Sequence, residues 1–196
     1  MLPKNGAEGK REGRDMGFWV FAYGSLMWNP EVPVAETAVA RLDGFTRSFC
    51  LQSVRHRGTP EAPGLVLGLE QAQAAHCTGL AIRVPDPDWD AAIAALRERE
   101  LVTAAYREQL VPLALADGRR VEAVAFVMKL DHPQYIRGLS RAEQAAIIAR
   151  AHGGRGPNAD YLFSTVEQLG RLGMPDPDLD GLAEAVRALQ TGRGAA

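Results

Sequence analysis

The sequence has little cysteine, and this scarcity excludes two kinds of small protein. Only Cys50 and Cys77 occur in 196 residues, each inside an apolar run and without a C-x-x-C spacing. A disulfide framework needs more cysteines, and a structural zinc site needs them close together. The four histidines show no metal-ligand spacing either. We therefore expect no metal site, and such a chain suits the reducing cytoplasm.

Lysine is also scarce, and long apolar segments are missing. Three lysines accompany 19 arginines, the arginines are scattered among 24 acidic residues, and the formal net charge is −2. This balance argues against a surface that neutralises nucleic-acid phosphates. No run reaches the length of about 18 apolar residues that a membrane-spanning helix needs. The sequence therefore predicts a soluble cytoplasmic protein that binds neither nucleic acid nor membranes.

The length of the chain is that of one domain. Residues 1–16 carry charges but no apolar segment, and we expect them to form a flexible leader without a targeting signal. Residues 17–192 are then expected to form a single domain, which can bury a substantial core without disulfides or metals. We expect this domain to be a monomer.

Segments typical of β-strands dominate residues 18–128. The aromatic-rich run Phe18–Tyr23 ends at Gly24, which predicts a buried strand entering a turn. Four more strand candidates follow before any long helix: Thr37–Leu42, Thr46–Ser53, Leu65–Glu70 and Cys77–Val84. A dipeptide typical of β-hairpins, Asp117-Gly118, separates two later strand candidates. These two are Tyr106–Ala116 and Arg120–Met128.

Helical segments dominate the remainder, and one helix lies between the strands. Asp86 and Pro87 are typical of a helix start, and this helix should run to about Glu100. A capping box, Ser140 with Glu143, precedes a second helix. The other expected boundaries are Gly153-Gly154 for the end of the second helix, Asn158 to Gly170 for a third helix, and Leu179–Leu189 for a fourth. We therefore expect an α+β fold with a small mixed β-barrel-like sheet and flanking helices.

The helix inserted between the strands carries the most informative pattern. Trp89, Ile93 and Leu96 follow four- and three-residue steps and form one apolar stripe, whose next position is Glu100. At about 100° per residue, Glu100 lies roughly 20° from Trp89, so a carboxylate occupies a position typical of the core. Burial disfavours the charged form and raises its pKa toward neutrality, as a general acid or base requires. Glu100 is therefore a candidate catalytic residue.

Two structural interpretations of Glu100 stay open. The helix can end before Glu100, or Arg99 or another arginine can form an ion pair with it. Glu98 lies roughly 180° from the apolar stripe, on the polar face of the same helix, and is not a candidate.

The turn after the first strand is the second candidate. Tyr23-Gly24-Ser25-Leu26 leaves a buried strand, and such a turn can present successive backbone N–H groups to an anion such as a carboxylate. The sequence lacks both the phosphate-binding G-x-x-x-x-G-K-[ST] motif and the G-x-S-x-G motif of hydrolases. The alternative is an ordinary turn without a ligand.

Two further features are weaker candidates. The segment Arg55–Gly58 can form a basic loop near a ligand carboxylate, or a solvated loop without a ligand. Tyr106 and Tyr161 can each donate a hydroxyl to a pocket, although buried tyrosines more often have ordinary partners.

Six segments, in their order along the chain, resemble the ChaC-like γ-glutamylcyclotransferases, which act on glutathione. They are Trp19–Pro30 (WVFAYGSLMWNP), Phe45–Phe49, His56–Gly64 (HRGTPEAPG), Arg99-Glu100 with Tyr106, His132–Tyr135 (HPQY) and Asn158–Phe163 (NADYLF). The chain departs from the family pattern at Ala22 in place of a glycine, at Ala104-Ala105 before Tyr106, and at Gly154 in place of a proline.

The resemblance implies a γ-glutamylcyclotransferase-like fold and the conversion of glutathione to 5-oxoproline and cysteinylglycine by intramolecular aminolysis. It implies Glu100 as the general acid and base. It also implies that the end of the first strand and its turn bind the γ-glutamyl group through Val20, Phe21, Ala22, Tyr23, Gly24, Ser25 and Leu26. Tyr106 and Tyr161 are expected to add pocket donors. No cofactor is expected, because the nucleophile and the electrophile belong to one molecule.

Two other functions stay open. The chain can be a cyclotransferase for another γ-glutamyl amine or dipeptide, or a regulatory module that binds γ-glutamyl compounds without catalysis. Glu100 favours an enzyme, because a module that only binds an anionic peptide gains little from a buried carboxylate.

Overall fold

The computed structural model describes residues 14–193. Of the predicted leader, residues 1–13 lie outside this range, whereas residues 14–16 belong to the first strand. The strands are β1 (Arg14–Ala22), β2 (Glu36–Ser53), β3 (Gly64–Val84), β4 (Tyr106–Leu115), β5 (Arg120–Met128), β6 (His152–Gly153) and β7 (Gly156–Pro157). The helices are α1 (Trp89–Glu100), α2 (Arg141–Ile148), α3 (Asn158–Arg171) and α4 (Pro177–Arg193). Two short 3₁₀ turns cover Ser25–Met27 and Asp86–Asp88.

Five strands form a closed barrel in the order β1-β3-β2-β4-β5. Neighbouring strands are antiparallel except at the closure, where β5 lies beside β1 in parallel. Closure gives each barrel strand two neighbours, although β2 pairs with β4 only at Ala40 and Arg41. The predicted α+β fold, with a small mixed barrel and flanking helices, is confirmed.

The four strand candidates between residues 37 and 84 are the halves of two long strands. β2 has 18 residues and β3 has 21. Gly44 lies between two of the predicted strands, but it has a φ of 79° inside β2, where the register with β3 shifts between Asp43 and Phe45. A glycine with positive φ allows a bulge, which bends a strand without ending it. The prediction of separate strands was therefore wrong.

The first strand begins at Arg14 rather than at the predicted Phe18. Arg14 and Asp15 pair in parallel with Arg120 and Val121 of β5. No apolar run marks the residues before Phe18. The pairing that closes the barrel, and not the local pattern, therefore extends the strand.

Helix boundaries differ from the prediction where tertiary contacts decide them. α1 follows a 3₁₀ turn and begins at Trp89. The predicted capping box of Ser140 starts α2, but α2 ends at Ile148 because the chain continues into the β6–β7 hairpin. Asn158 does not cap α3: its side chain accepts from Leu65 N at 2.6 Å and donates to Leu65 O at 2.7 Å. α4 extends beyond the predicted helix at both ends.

Apolar side chains fill the barrel, and helices cover part of its surface. The largest fully buried side chains of the barrel strands include Trp19, Phe21, Leu42, Phe49, Leu65, Leu69, Leu113 and Phe126. α4 packs against α2 and α3, and both of these also contact β3. Within residues 14–193, no helix is both long enough and apolar enough to cross a membrane. The turn after β1, the end of α1 and the start of β4 line one cavity.

Candidate active site

A cavity of about 530 Å³ opens beside the end of β1. Its volume lies within the range of about 300–1,000 Å³ that small-ligand sites occupy. Its walls come from the turn after β1, the end of α1, the start of β4, α3, the connection between β2 and β3, and the β6–β7 hairpin. Segments that are far apart in the sequence therefore share one site.

Seven of the ten predicted site residues line this cavity: Tyr23, Gly24, Ser25, Leu26, Glu100, Tyr106 and Tyr161. The other three, Val20, Phe21 and Ala22, are buried in β1 and paired with β3. They are not among the described lining residues, because they form the barrel wall. These three residues are the last of β1, and Tyr23 follows directly after the strand.

Glu100 is the last residue of α1, so the helix does not end before it. Its side chain is 17% exposed, whereas Ile93 and Leu96 of the same stripe are buried. Burial raises the pKa of Glu100 above its ordinary value. Arg99 opposes this rise, with Nε 3.1 Å from Glu100 Oε1, and the negative charge of Glu31 reinforces it. The Glu100 carboxylate therefore faces inward and also forms an ion pair with Arg99, two interpretations that the sequence left as alternatives.

The Arg99 guanidinium joins α1 to the turn after β1. Its Nη1 donates to Asn29 O at 2.8 Å, and its Nη2 donates to Ser25 Oγ at 2.9 Å. A carboxylate oxygen of Glu31 lies 3.2 Å from Nη1. One cation therefore holds the turn and also faces Glu100, which sets the position of the carboxylate relative to the turn.

The turn after β1 is a 3₁₀ turn, Ser25–Met27, in which Met27 N donates to Gly24 O at 2.9 Å. No side chain of the described residues caps it. The first N–H groups of such a turn have no acceptor inside it. A Cβ placed on Gly24 would lie 3.5 Å from Tyr161 Oη, so the absence of a side chain leaves space between the turn and α3.

Three tyrosines lie near the carboxylate at the end of α1: Tyr23 is buried, and Tyr106 and Tyr161 are partly buried. Tyr23 Oη donates to Phe126 O at 2.9 Å. Tyr106 Oη donates to Leu67 O at 2.7 Å. Burial raises the pKa of Tyr23, Tyr106 and Tyr161, and the charge of the α1 carboxylate contributes in each case. All three hydroxyls therefore stay protonated at neutral pH, and two of them have the ordinary backbone partners that the sequence left open.

Arg47 supports the site without lining the cavity, and sequence reasoning missed it. It belongs to β2 and is 9% exposed. Its Nη1 donates to Tyr23 O at 2.9 Å, and its Nε lies 3.2 Å from Asp176 Oδ2. Arg47 therefore holds the backbone at the point where β1 ends. A period-two pattern contained the signal, since Phe45, Arg47 and Phe49 are alternate buried residues of β2.

The outer wall of the cavity is basic. Arg55, His56 and Arg57 come from the connection between β2 and β3, and Arg155 comes from the turn of the β6–β7 hairpin. We call these four residues the basic rim. Burial lowers the pKa of His56, and the three arginine charges lower it further. Glu100 is the one acidic residue in the described lining.

Neither cysteine is an activated nucleophile. Both are free and buried, and burial raises the pKa of Cys50 to about 12 and that of Cys77 to about 11. A thiol that is protonated at neutral pH is a poor nucleophile and a poor metal ligand. Residues 14–193 also contain no group of three or more candidate metal ligands.

Comparison with known proteins matches this chain to one family over most of its length. The sequence profile of the family described as ChaC-like protein matches residues 18–189. The chain is 39% identical over 171 residues to the glutathione-specific γ-glutamylcyclotransferase of Escherichia coli, with 87% of this chain and 73% of that protein covered. It is 35% identical over 181 residues to γ-glutamylcyclotransferase 2-3 of Arabidopsis thaliana, with 88% and 89% covered.

A solved structure shares the fold. The crystal structure of the glutathione-specific γ-glutamyl cyclotransferase from yeast aligns with a TM-score of 0.79 at 22% identity. The alignment covers 89% of this chain and 97% of the yeast chain. The barrel and its flanking helices are therefore a known architecture.

Proposed function

This chain belongs to the ChaC-like protein family, and we propose that it converts glutathione to 5-oxoproline and cysteinylglycine, with Glu100 as the general acid and base. The observation that carries the proposal is one largely buried carboxylate in a cavity whose other ionisable groups are tyrosines and basic residues. Such a site can exchange a proton without supplying a protein nucleophile. The similarity to the glutathione-specific γ-glutamylcyclotransferase of Escherichia coli supports glutathione as the substrate.

The proposed reaction closes a ring within the substrate. The α-amine nitrogen attacks the γ-carbonyl carbon, a carbon–nitrogen bond forms, and the bond from that carbon to the cysteine nitrogen breaks. Because the nucleophile and the electrophile belong to one molecule, a cavity that folds the γ-glutamyl group into the attack conformation removes much of the entropic barrier. The reaction therefore needs positioning and proton transfer more than it needs activation of water.

Glu100 transfers the proton in this scheme. The amine is protonated near neutral pH and must lose a proton before it attacks. Glu100 accepts this proton and then gives it to the departing cysteine nitrogen. The attacking nitrogen releases its second proton to solvent as the lactam forms, and the free amine of cysteinylglycine takes up a proton from solvent. Burial brings the pKa of Glu100 nearer to neutrality, while Arg99 favours the ionised form that accepts the proton.

We assign the binding of the γ-glutamyl group to the turn Tyr23–Leu26, with Tyr106 and Tyr161. Backbone N–H groups at the start of the turn bind the substrate α-carboxylate or the oxyanion that develops on the γ-carbonyl. The tyrosine hydroxyls supply further donors. The strand residues Val20–Ala22 contribute by fixing the end of β1 in the barrel wall.

The proposed enzyme is a cytoplasmic monomer. Two free buried cysteines support a reducing compartment. A single elution volume and a sedimentation mass of one chain, independent of protein concentration, would support the monomer. A mass of two chains would contradict it.

Identification of the products tests the proposed function. Glutathione should give 5-oxoproline and cysteinylglycine in equal amounts, and N-acetylglutathione should give neither, because its blocked nitrogen cannot attack. A chelator should leave the rate unchanged. Free glutamate as the product, or turnover of the acetylated substrate, would show hydrolysis and overturn the proposal.

Two further substrates separate the alternatives. Turnover of γ-glutamyl dipeptides or γ-glutamyl-lysine without turnover of glutathione would transfer the assignment to another γ-glutamyl substrate. Binding of glutathione without any product would identify a regulatory module.

A further inference from the structure

We propose that the basic rim binds the terminal carboxylate of the leaving peptide, so that the enzyme selects γ-glutamyl substrates whose amine half ends in a free carboxylate. This inference rests on the proposed function, because it assigns the leaving half of the same substrate to a part of the same cavity. It makes the rim a determinant of specificity, separate from the residues that transfer the proton.

Backbone hydrogen bonds between two loops assemble the rim. Gly154 N donates to Arg55 O at 2.9 Å, and Arg155 N donates to His56 O at 2.9 Å. Arg57 Nη1 then donates to Arg155 O at 2.7 Å. These bonds bring together arginines that are 100 residues apart in the sequence. The rim is therefore a built feature of the fold and not a chance approach of two solvated loops.

Close packing fixes the same two loops. A Cβ on Gly153 would lie 2.4 Å from Gly58 N, and a Cβ on Gly58 would lie 2.1 Å from Gly64 N. Real side chains do not fit at such distances, so the backbones touch directly. Arg57 N also donates to Ser53 Oγ at 2.9 Å. The backbone of the rim is therefore fixed by packing, so ligand binding would have to order only the arginine side chains.

The negative charge of Asp160 acts on Arg57, but the charges of Arg55 and Arg155 in the rim are not compensated by an ion pair within the described residues. The described lining of the cavity contains four arginines and one glutamate, although the whole chain has a net charge of −2. Arg99 pairs with that glutamate. Within residues 14–193, no carboxylate forms an ion pair with Arg55 or Arg155, and both are exposed. Two guanidinium groups are therefore available to an anion at the cavity wall.

Tyr161 is a neighbour of both the basic rim and the turn after β1. Its hydroxyl faces the turn, 3.5 Å from the position of a Cβ on Gly24, and its ring lies under Arg57, whose Cζ is 5.6 Å from the ring centroid. Tyr161 therefore contacts the rim through Arg57, which lies over the face of its ring, and the turn through its hydroxyl. An extended dipeptide spans about 7 Å, at roughly 3.3–3.6 Å per residue. Cysteinylglycine therefore has a suitable length to reach from the reacting bond to the rim.

The chemistry of the substrate fits this arrangement. Glutathione carries one carboxylate on the γ-glutamyl half and another on the glycine at its far end. The turn suits the first carboxylate, and exposed guanidinium groups suit the second, because they bind carboxylates through two parallel hydrogen bonds. The remote contact would hold the leaving half without touching the reacting atoms.

Kinetics with two forms of one substrate test the proposal. Release of 5-oxoproline is measured with glutathione and with its glycine ethyl ester, which keeps the γ-glutamyl amine and lacks the terminal charge. The wild-type kcat/KM for the ester should be about 10-fold or more below that for glutathione, the loss expected for a hydrogen bond to a charged group, and the change should lie mainly in KM.

Variants of the rim sharpen the test. The double substitution of Arg55→Ala and Arg155→Ala should raise KM for glutathione, leave kcat unchanged, and remove the discrimination between acid and ester. Arg150→Ala is the matched control, because Arg150 is exposed in the turn after α2 and does not line the cavity. It should leave both constants unchanged. Thermal unfolding of each variant checks that it folds. The comparison of glutathione with its ester uses the wild-type enzyme, so it tests the proposal even if a variant does not fold.

The outcomes separate this inference from the proposed function. Equal turnover of the acid and the ester by the wild type would overturn the role of the rim and leave the proposed function intact. An equal loss in the control variant would show a general electrostatic effect and would also overturn it. Failure to form 5-oxoproline from glutathione would instead overturn the proposed function.

Discussion

At the inner end of the cavity, Glu100 and three tyrosines are buried enough that burial raises the pKa of each of them. At the outer end, Arg55 and Arg155 are exposed, and guanidinium groups stay charged in almost any protein environment. A group that must exchange a proton depends on its surroundings, whereas a group that attracts an anion has only to keep its charge. In the proposed function, this difference between the two ends separates proton transfer at the inner end from recognition of the leaving half at the outer end.

The two ends are also supported differently. At the inner end, side chains bond to the backbone of distant elements: Arg47 to Tyr23 O and Arg99 to Asn29 O. At the outer end, backbone bonds join two loops, as in the bond from Arg155 N to His56 O. Substitution of an inner side chain should therefore change geometry and rate together. Substitution of a rim side chain should change affinity alone.

The largest effect is expected at Glu100. Glu100→Gln keeps the size of the side chain and removes the proton acceptor, so kcat should fall by about 100-fold or more, as for the loss of a general base. Steady-state release of 5-oxoproline measures this loss, and calorimetry should show that glutathione still binds. Glu98→Gln is the matched control on the exposed face of α1 and should leave kcat unchanged. An essential Glu98 beside a dispensable Glu100 would contradict the assignment.

A smaller effect is expected at Gly24, which tests the turn as the binding element of the inner end. A Cβ there lies at ordinary contact distances, 3.5 Å from Tyr161 Oη and 3.7 Å from Leu67 Cδ1, so a variant should fold. The additional methyl groups of Gly24→Val would fill the space for the γ-glutamyl group, and the affinity should fall about 10-fold, or roughly 1.4 kcal/mol.

Calorimetry on a Glu100→Gln background measures this affinity without turnover. Gly24→Ala, which adds only the Cβ, should bind more tightly than the valine variant. Unchanged affinity in Gly24→Val, with thermal stability within a few degrees of the parent, would place the γ-glutamyl group elsewhere.

The smallest effect is a displacement of the pH profile when Arg99 is replaced. If the proposed role of Glu100 holds, activity requires its ionised form, and kcat/KM should rise with pH through the pKa of this carboxyl. Arg99 lowers that pKa, and burial and Glu31 raise it. Arg99→Gln should therefore move the acid limb of the profile to higher pH, because the three neighbouring tyrosines are neutral and supply no replacement cation.

Two controls accompany this pH measurement. Arg97→Gln removes an exposed cation of the same helix that pairs with Glu108, and it should not displace the limb. Arg99→Lys should restore part of the displacement, because it keeps a positive charge near Glu100. A loss of activity in Arg99→Gln without any displacement of the acid limb would show that Arg99 only holds the turn in place and does not set the pKa of Glu100.

Sequence reasoning succeeded where neighbouring residues decide the outcome. Asp117-Gly118 predicted the hairpin of β4 and β5, and Ser140 with Glu143 predicted the start of α2, because turn and capping preferences act over a few residues. The helical stripe of α1 also predicted the inward position of Glu100. It could not decide between a catalytic carboxylate and an ion pair with Arg99, since the structure contains the ion pair and the burial together.

Sequence reasoning failed where distant residues decide the outcome. Asn158 has the chemistry of a helix cap, yet its side chain bonds the backbone of Leu65. Arg47 stands in a strand-like segment, and only the closed barrel shows that it holds the carbonyl of Tyr23. The sequence also did not show that Val20–Ala22 are buried in the barrel wall, and their part in substrate binding stays a prediction.

The sequence by itself therefore determined the kinds of elements, the α+β class, the inward carboxylate of α1 and the turn after β1. These follow from periodicity and turn chemistry, which are local properties of the chain. The tertiary structure alone decided the parallel closure of β1 on β5, the anchoring of the turn by Arg47 and Arg99, and the meeting of Arg55 with Arg155. The physical reason is that each of these depends on contacts between residues far apart along the chain, whose energies become available only when the barrel has closed.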